Sequence, residues 1–196
     1  MRADDTAVAP ILESVLEAVP AGRALDLATG TGRNALALAD RGWHVDAVDL
    51  SRAQLERARD RAADRGVDER IEWILADVDD YAFPAGAYDL VTISFFDALD
   101  RLPAVKRALA PGGVLVYEHY LESPPGTSGP GERYRFAPNE LLSACADLRV
   151  LYYAETRIDG EPRVTLAACT DRSDTTRLLP SLSAEDRHAS DRYRDN

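Results

Sequence analysis

A glycine-rich turn between an apolar run and an alanine-rich segment is the strongest constraint on the fold of this chain. Residues 24–28 read ALDLA, with Asp26 as the one polar member, and residues 29–32 read TGTG. A short apolar run that leads directly into glycines is typical of a buried parallel strand. The next segment, 34–40 (NALALAD), is rich in helix formers and is followed by Gly42. The pattern therefore predicts a strand, a tight turn and a helix.

The same alternation of strand and helix repeats along the chain. Ser51 is suited to cap a long helix that ends at Gly66, and Pro111-Gly112-Gly113 is suited to end another. Strands that alternate with helices pair in parallel, which predicts a doubly wound, mostly parallel, Rossmann-like α/β sheet. We predict strands at 24–28, 44–49, 70–76, 88–94 and 114–120, and helices at 6–19, 34–40, 51–65 and 98–109.

The C-terminal third follows a different pattern. A proline- and glycine-rich loop, 123–132, precedes a short helix predicted at 139–146 with Asn139 as its cap. Two apolar runs, 149–157 and 163–169, flank an Asp-Gly turn, which indicates an antiparallel hairpin and brings the sheet to seven strands. From 171 onward the chain is polar. We therefore predict one domain, 1–170, and a disordered polar tail, 171–196.

Composition excludes several classes of function. The formal net charge of −11 argues against binding nucleic acid through its phosphates. The two cysteines and three histidines follow no metal-ligand spacing, so we expect no metal site. No apolar run is long enough to span a membrane, and the first residues lack the basic region of a signal peptide. We expect a cytoplasmic protein with no membrane partner.

The glycine turn alone leaves its ligand open. Gly30, Gly32 and Ala35 form a G-x-G-x-x-A pattern that suits a dinucleotide, S-adenosylmethionine, or simply a tight turn between strand and helix. Asp49 ends the second predicted strand, where a carboxylate can accept both hydroxyl groups of a ribose. The structural alternative for Asp49 is an N-terminal cap of the next helix, but Ser51 is better placed for that role. The pair of motifs favours a ligand with a ribose.

Two further acidic residues favour a cationic amino-acid ligand over a nicotinamide dinucleotide. Asp26 lies two residues before the turn, where its charge would repel a pyrophosphate and attract an ammonium group. Asp77 follows the third predicted strand, where it is suited to accept a hydrogen bond from an adenine amino group. A nicotinamide-dependent oxidoreductase therefore stays as the weaker alternative.

Taken together, these motifs resemble class I S-adenosylmethionine-dependent methyltransferases over roughly residues 8–170. The similar segments are ALDLATGTGRNALALADRGWHVDAVDLS, ILADVDDYAFPAGAYDLVTIS and RALAPGGVLVYEHY. The G-R-N after the turn and the RYRF after the fifth strand most resemble small tellurite-resistance-type methyltransferases. The resemblance implies S-adenosylmethionine as cofactor, held by Asp26, Ala28, Gly30, Gly32, Asp49, Leu50, Asp77, Val78 and Ser94.

Two features depart from the family's pattern. Ala28 stands where many members have the first glycine of the turn. Only a few residues precede the first predicted helix, whereas many relatives have an additional N-terminal segment over the cofactor. We therefore expect a more open site, or a partner chain that covers it, for example in a homodimer. A cofactor-binding or partner-binding domain without catalysis is the second alternative.

The methyl acceptor is harder to predict. His119, at the end of the fifth strand, is a candidate base, and Arg133 and Arg135 are candidates to hold an anionic acceptor. Each has a structural alternative, in which His119 is a core residue and the arginines pair with Glu118 and Glu132. Residues 94–97 read SFFD rather than an N-P-P-Y-like motif, which disfavours methylation of amide or nucleobase nitrogen. We expect a small-molecule acceptor such as a thiol, a metalloid oxyanion or a hydroxyl compound.

Overall fold

The computed structural model describes residues 8–123, 131–158 and 160–170 of the 196-residue chain. In these ranges the strands are β1 (Arg23–Leu27), β2 (His44–Asp49), β3 (Ile71–Leu75), β4 (Tyr88–Ser94), β5 (Leu109–Tyr120), β6 (Arg149–Ile158) and β7 (Glu161–Cys169). The α-helices are α1 (Pro10–Ala18), α2 (Arg33–Asp40), α3 (Arg52–Arg65), α4 (Leu102–Ala108) and α5 (Glu140–Ala144). Short 3-10 turns lie at Asp68–Arg70, Leu99–Arg101 and Glu132–Tyr134.

The seven strands form one sheet in the order β3-β2-β1-β4-β5-β7-β6. The first five strands in this order are parallel, and β7 is antiparallel to both of its neighbours. The direction in which the chain builds the sheet reverses between β1 and β4. In open α/β sheets, ligands bind in the crevice beyond the carboxyl ends of the strands at such a switch point. The predicted Rossmann-like sheet with a C-terminal antiparallel hairpin is confirmed.

Helices cover both faces of the sheet because successive strand residues point to opposite sides. One core cluster joins the apolar side of α1, including Leu12, to α2 and to the fully buried Trp43. The other cluster joins Val105 of α4 and Leu141 of α5 to Tyr117 of β5. Both faces are therefore buried, which explains why the parallel strands read as nearly continuous apolar runs.

The elements that set the position of the crevice have the predicted bounds. Strands β2 and β4 span the predicted residues, and Ser51 caps α3 by accepting a hydrogen bond from the Gln54 amide at 3.4 Å. Gly66 closes α3 in a left-handed conformation with φ +71°. Strand β1 ends at Leu27, one residue earlier than predicted, because Ala28 adopts φ +54° and starts the turn.

The predicted boundary between the fourth helix and the fifth strand is wrong. The helix consists of the 3-10 turn followed by α4, and β5 starts at Leu109 rather than at Val114. The Pro-Gly-Gly segment stays in the sheet, although its register to β4 shifts after Leu109. A Cβ atom on Gly113 would lie 2.8 Å from the Tyr88 carbonyl oxygen, so glycine permits this close approach.

Asn139 occupies the predicted N-cap position of α5, but its side chain does not cap the helix. Asn139 has φ +62°, its side chain makes no capping hydrogen bond, and α5 covers only Glu140–Ala144. Instead the Glu140 carboxylate accepts a hydrogen bond from the Ala137 amide at 2.8 Å. Helix α1 begins at Pro10 rather than at residue 6, since proline at the first helical position favours a start there. The tail predicted at 171–196 lies outside the described residues.

Candidate functional site

Four of the predicted cofactor residues meet at the carboxyl edge of the sheet. Ala28 follows β1, Asp49 ends β2, Asp77 follows β3 and Ser94 ends β4. The strand register aligns these ends, because Leu27 lies opposite both Val48 and Ile93, and Asp49 lies opposite Leu75. These strand ends lie along the edge of the sheet that contains the topological switch point, where we expect a ligand to bind.

Asp26 lies beneath the glycine turn and is 2% exposed. Its carboxylate accepts hydrogen bonds from the Thr29 hydroxyl at 2.5 Å, the Thr92 hydroxyl at 2.7 Å and the Ala35 amide at 3.1 Å. Burial raises the pKa of this carboxyl, and the hydrogen bonds oppose that shift. Asp26 therefore organises the turn from below through its hydrogen bonds.

Three residues of the glycine turn have a left-handed backbone conformation. Ala28, Gly30 and Gly32 have φ values of +54°, +57° and +79°. A Cβ atom on Gly30 would meet no protein atom within 4 Å, so this glycine faces open space above the turn. A Cβ atom on Gly32 would lie 3.0 Å from the Ala58 side chain, so this glycine permits α2 and α3 to pack closely. Of the two glycines of the turn, only Gly30 leaves open space where a Cβ atom would lie.

Asp49 joins the turn to the end of β2. Its two carboxylate oxygens accept hydrogen bonds from the Gly30 amide at 2.7 Å and from the Ser51 amide at 2.8 Å. Each carboxylate oxygen has a second lone pair, so both oxygens can still accept from a ligand. The Gly30 N–H group is engaged by Asp49, so the turn offers a ligand its glycine surface rather than this donor.

The residues predicted to contact adenine follow strands β2 and β3. Leu50 is 67% exposed, which is unusual for a leucine next to a buried strand. Asp77 accepts a hydrogen bond from the Asp79 amide at 2.9 Å, and Val78 is 4% exposed. An exposed apolar side chain after β2 and a carboxylate after the neighbouring strand β3 are suited to a flat heterocycle with an amino group.

Asn34 is a site residue that the sequence did not predict individually. It lies at the start of α2 and is 4% exposed, and its amide group donates to the Ser94 hydroxyl at 3.0 Å. Its carbonyl oxygen is buried and has no hydrogen-bond partner among the described residues. The available signal was a polar residue within an apolar helix, directly after the turn. The Asn34 amide thus links the start of α2 to the end of β4.

Two aromatic rings beside the crevice are flanked by guanidinium groups. Phe95 follows β4 directly, and its ring centroid lies 4.6 Å from that of Tyr120 at the end of β5. The guanidinium carbons of Arg33 and Arg163 lie 5.4 Å and 5.1 Å from the Phe95 centroid, and that of Arg163 lies 5.7 Å from the Tyr120 centroid. We name Arg33, Phe95, Tyr120 and Arg163 the arginine–aromatic cluster.

The two arginines of the cluster differ in their ionic partners. Arg33 forms an ion pair with Glu118. The Arg163 side chain forms no hydrogen bond or ion pair with any residue within the described ranges, and its Nε atom is buried. The sequence does not reveal this cluster because its members are far apart in the chain. The pairing of β5 with β7 sets Tyr120 opposite Arg163, and the pairing of β4 with β5 brings Phe95 to the same edge of the sheet. Its geometry leaves one guanidinium available to an anion.

The three residues predicted to serve the acceptor lie in three different environments. His119 is 2% exposed and its ring lies 4.0 Å from the Phe136 ring, centroid to centroid. The Arg135 side chain is buried, donates to the Leu121 carbonyl at 2.7 Å and pairs with Glu161 at 2.5 Å. Arg133 is exposed and donates to the Tyr134 hydroxyl at 2.5 Å. The geometry favours the structural alternative for His119 and for Arg135.

Replacing His119 with phenylalanine is expected to reduce the acid sensitivity of folding. Burial lowers the pKa of the imidazole below its ordinary 6.5, and neither ring nitrogen has a hydrogen bond of normal geometry in the described structure. Below pH 6.5 the unfolded chain therefore binds a proton that the folded protein does not, and stability falls as pH falls toward the folded pKa. Urea unfolding at pH 8, 7, 6 and 5 measures this difference.

We expect His119→Phe to unfold at pH 8 with a free energy within about 1.5 kcal/mol of the wild type, since the exchange is nearly volume-conserving. Between pH 7 and pH 5 the variant should lose less stability than the wild type. Equal losses in the two proteins would show that His119 titrates normally and is accessible to water.

Metal and membrane signals are both absent from the described residues. Residues 8–123, 131–158 and 160–170 contain no group of three or more histidine, cysteine, aspartate or glutamate side chains suited to a metal ion. No helix in the same ranges is long and apolar enough to cross a membrane. Cys145 and Cys169 are buried free thiols, and burial raises the pKa of Cys145 to about 11.

Comparisons with known proteins agree with the geometry of the crevice. Residues 24–113 match the family described as "Methyltransferase domain". The chain is 40% identical over 107 residues to a demethylmenaquinone methyltransferase of Clavibacter sepedonicus, covering 52% of this chain and 42% of the relative. It is 40% identical over 125 residues to the demethylmenaquinone methyltransferase of Thermus thermophilus, and the alignment covers 60% of this chain and 56% of the relative. The aligned part thus spans about half the length of these curated relatives.

Solved structures show the same fold. TehB from Haemophilus influenzae superposes with a TM-score of 0.71 at 20% identity, covering 86% of this chain and 64% of that one. A SAM dependent methyltransferase from Aquifex aeolicus superposes with a TM-score of 0.65 at 18% identity, covering 83% and 90%. The chain therefore has the fold of class I S-adenosylmethionine-dependent methyltransferases, and the resemblance stated from its motifs is confirmed. The same comparisons support S-adenosylmethionine over a nicotinamide dinucleotide as the ligand of the glycine turn.

Proposed function

We propose that this chain is an S-adenosylmethionine-dependent methyltransferase that acts on a small-molecule acceptor. The observation that carries the proposal is the joined pair of Asp49 and Gly30, at the switch point of the sheet. The Asp49 carboxylate is fixed by the Gly30 and Ser51 amides and keeps two lone pairs for a ribose. The open space above Gly30 leaves room for the methionine end.

The remaining cofactor residues have roles that follow from where they lie. Ala28 and Gly30 would border the methionine end, and Gly32 would shape the turn by its packing on α3. Asp26 would lie near the ammonium group. Ser94 would offer its strand-end carbonyl to the same group. Leu50 would pack on the adenine ring, while Asp77 and the Val78 backbone would read its edge.

The chemistry sets modest demands on the protein. When bound, the cofactor supplies a methyl group on a positively charged sulfur; a nucleophile attacks the methyl carbon in line, and the sulfur is the leaving group. The residues of the chain must then align the acceptor and exclude water. A base is required only for an acceptor that enters protonated. His119 would have to leave its stack on Phe136 to serve as one, so acceptors that enter as anions fit this site best.

The arginine–aromatic cluster favours an anionic acceptor. Arg163 lies beside the half-buried ring of Phe95, which follows the strand end at Ser94. Phe95 has φ +56°, a conformation that costs energy in a non-glycine residue and is frequent at functional sites. A thiolate with a nearby carboxylate, or a metalloid oxyanion, would satisfy the unpaired guanidinium. The relatives named for demethylmenaquinone make a hydroxylated aromatic compound the next candidate.

A radiolabel transfer assay tests the proposed function. The full chain is incubated with S-adenosylmethionine labelled at the methyl group and with three acceptors: 4-mercaptobenzoate, selenite and 1,4-naphthohydroquinone. We expect label transfer to at least one anionic acceptor, and none with the Asp49→Ala variant. Binding of S-adenosylhomocysteine without transfer to any acceptor would contradict catalysis and favour the alternative of a binding domain.

A further inference from the structure

Three guanidinium groups lie against the rings of Phe95 and Tyr120. The guanidinium carbon of Arg163 lies 5.1 Å from the Phe95 centroid and 5.7 Å from the Tyr120 centroid. The guanidinium carbon of Arg33 lies 5.4 Å from the first ring, and that of Arg135 lies 5.7 Å from the second. These distances are typical of cation–π contacts. Arg163 therefore contacts both rings of the pair.

Two of these three cations are matched by an acidic side chain. Arg33 forms an ion pair with Glu118, and Arg135 forms one with Glu161 at 2.5 Å. The half-buried side chain of Arg163 has neither an ion pair nor a hydrogen bond within the described part of the chain. The ring pair is thus flanked by one positive charge that no described acid compensates. A half-buried cation without a partner costs free energy, and a bound anion would offset that cost.

The open donors of Arg163 are on its two terminal nitrogens. Nε is buried and unpaired, whereas Nη1 and Nη2 are unpaired but not buried. Stacking on a ring uses the face of a guanidinium and leaves its N–H groups free to donate in the plane of the group. This planar fork matches the two oxygens of a carboxylate. The geometry therefore offers an accessible, bidentate site for a planar anion beside two aromatic rings.

The position of Arg163 separates it from the glycine turn. Strand β7 lies three strands from β1 in the sheet, which is about 14 Å at the usual spacing between strands. Arg163 lies opposite Tyr120 at the end of β5. Phe95 directly follows Ser94, so the ring pair begins next to a predicted cofactor contact and extends from there toward β7. The anion site is thus on the β7 side, away from the turn.

We propose that Arg163 anchors a carboxylate of the methyl acceptor, while Phe95 and Tyr120 hold a flat, aromatic part of the same molecule. The inference rests on the proposed function and makes Arg163 a specificity-determining residue for it. Because the anchored carboxylate is held by Arg163, a different atom of the acceptor receives the methyl group. The acceptor class is therefore an aromatic carboxylate that bears its nucleophile elsewhere.

Ligand-observed fluorine NMR on the full chain tests the inference without relying on turnover. The chain is saturated with S-adenosylhomocysteine and titrated with 4-fluorobenzoate or with 4-fluorobenzamide, which has nearly the same size and no charge. We expect the wild type to prefer the benzoate by about tenfold or more, as for one charged hydrogen-bonded contact. Arg163→Gln should bind the two probes with nearly equal affinities, and it should keep the wild-type affinity for S-adenosylhomocysteine.

Arg149→Gln is the matched control. Arg149 is an exposed residue of β6 that lies opposite Cys169, at the far end of the hairpin from Arg163. Its substitution changes the net charge equally and should leave the preference for benzoate intact. Arg163→Lys keeps the charge but loses the planar fork, so its preference should lie between those of the wild type and Arg163→Gln. Thermal unfolding checks that each variant is folded at the titration temperature.

Three results would overturn the inference while the proposed function stands. One is equal or undetectable binding of the two probes by the wild type. Another is a preference for benzoate that persists in Arg163→Gln or that Arg149→Gln also removes. The third is a loss of S-adenosylhomocysteine affinity in Arg163→Gln by about tenfold, which would assign this arginine to the carboxylate of the cofactor itself. Failure of the wild type to bind S-adenosylhomocysteine at all would instead overturn the proposed function and this inference with it.

Discussion

Replacing Asp49 with alanine is expected to weaken the binding of S-adenosylhomocysteine by about a hundredfold or more. Two ribose hydroxyls donating to one carboxylate form charge-assisted hydrogen bonds, which contribute about 1.5–3 kcal/mol each. Their joint loss therefore corresponds to about 3 kcal/mol or more, or at least two factors of ten in Kd. The substitution also removes the acceptor for the Gly30 and Ser51 amides, which loosens the turn.

Two further variants separate these contributions. Asp49→Asn keeps an oxygen and the side-chain shape, so its stability should stay closer to that of the wild type while it still loses much of the affinity. Asp79→Ala removes an exposed acid two residues beyond Asp77 and should leave the affinity unchanged. Calorimetric titration gives the affinities, and thermal unfolding followed by circular dichroism gives the stabilities. Wild-type affinity in a folded Asp49→Ala variant would show that the ribose assignment is wrong.

Replacing Gly30 with alanine is expected to reduce cofactor affinity by more than its effect on stability explains. At φ +57° a side chain costs about 1–2 kcal/mol of backbone strain. The added methyl group meets no protein atom within 4 Å and extends instead into the space assigned to the methionine end. We expect the affinity for S-adenosylhomocysteine to fall at least tenfold, which is about 1.4 kcal/mol.

Gly66→Ala is a close match for this substitution. Gly66 has φ +71° at the end of α3, and a Cβ atom there also meets nothing within 4 Å. The two variants should therefore lose similar stability in urea unfolding, and only Gly30→Ala should lose affinity. Equal affinities for the two variants would contradict the position of the cofactor above the turn.

The parts of the fold that the sequence predicts best are those with strong local signals. The strand at 44–49 and the helix from Ser51 to Gly66 have apolar periodicity and capping residues that agree with their tertiary surroundings. The glycine turn was predictable for the same reason, because an apolar run, an acid and two glycines determine it within a few residues. Asp49 and Asp77 could be predicted at the carboxyl edge because each directly follows or ends a strand with a clear local signal.

The errors occur where tertiary contacts override local preference. Pro-Gly-Gly is a typical end of a helix, but the close approach of Gly113 to Tyr88 extends β5 back to Leu109. Asn139 is a favourable helix cap by residue type, yet its side chain makes no capping hydrogen bond and its backbone N–H donates to the Glu155 carboxylate at 2.6 Å. In both cases the deciding partner is distant in the chain, and sequence patterns carry no information about it.

The same limit applies to the acceptor side of the site. The sequence placed Arg135 near the crevice, but its charge is matched by Glu161 in the buried interior. Arg163, which the sequence analysis passed over, reaches the aromatic rings because β7 pairs with β5 and sets Arg163 opposite Tyr120. An arginine side chain is available to an anion only if no acidic side chain pairs with it, and those pairings are set by the folded structure.

Competitive titration of the wild-type chain with S-adenosylhomocysteine and NAD tests the central claim most directly. The claim is that the turn at 28–32, with Asp49, holds an adenosyl amino acid rather than a dinucleotide. We predict saturable binding of S-adenosylhomocysteine with one site per chain, unaffected by a large excess of NAD. Tight binding of NAD with no response to S-adenosylhomocysteine would contradict the account.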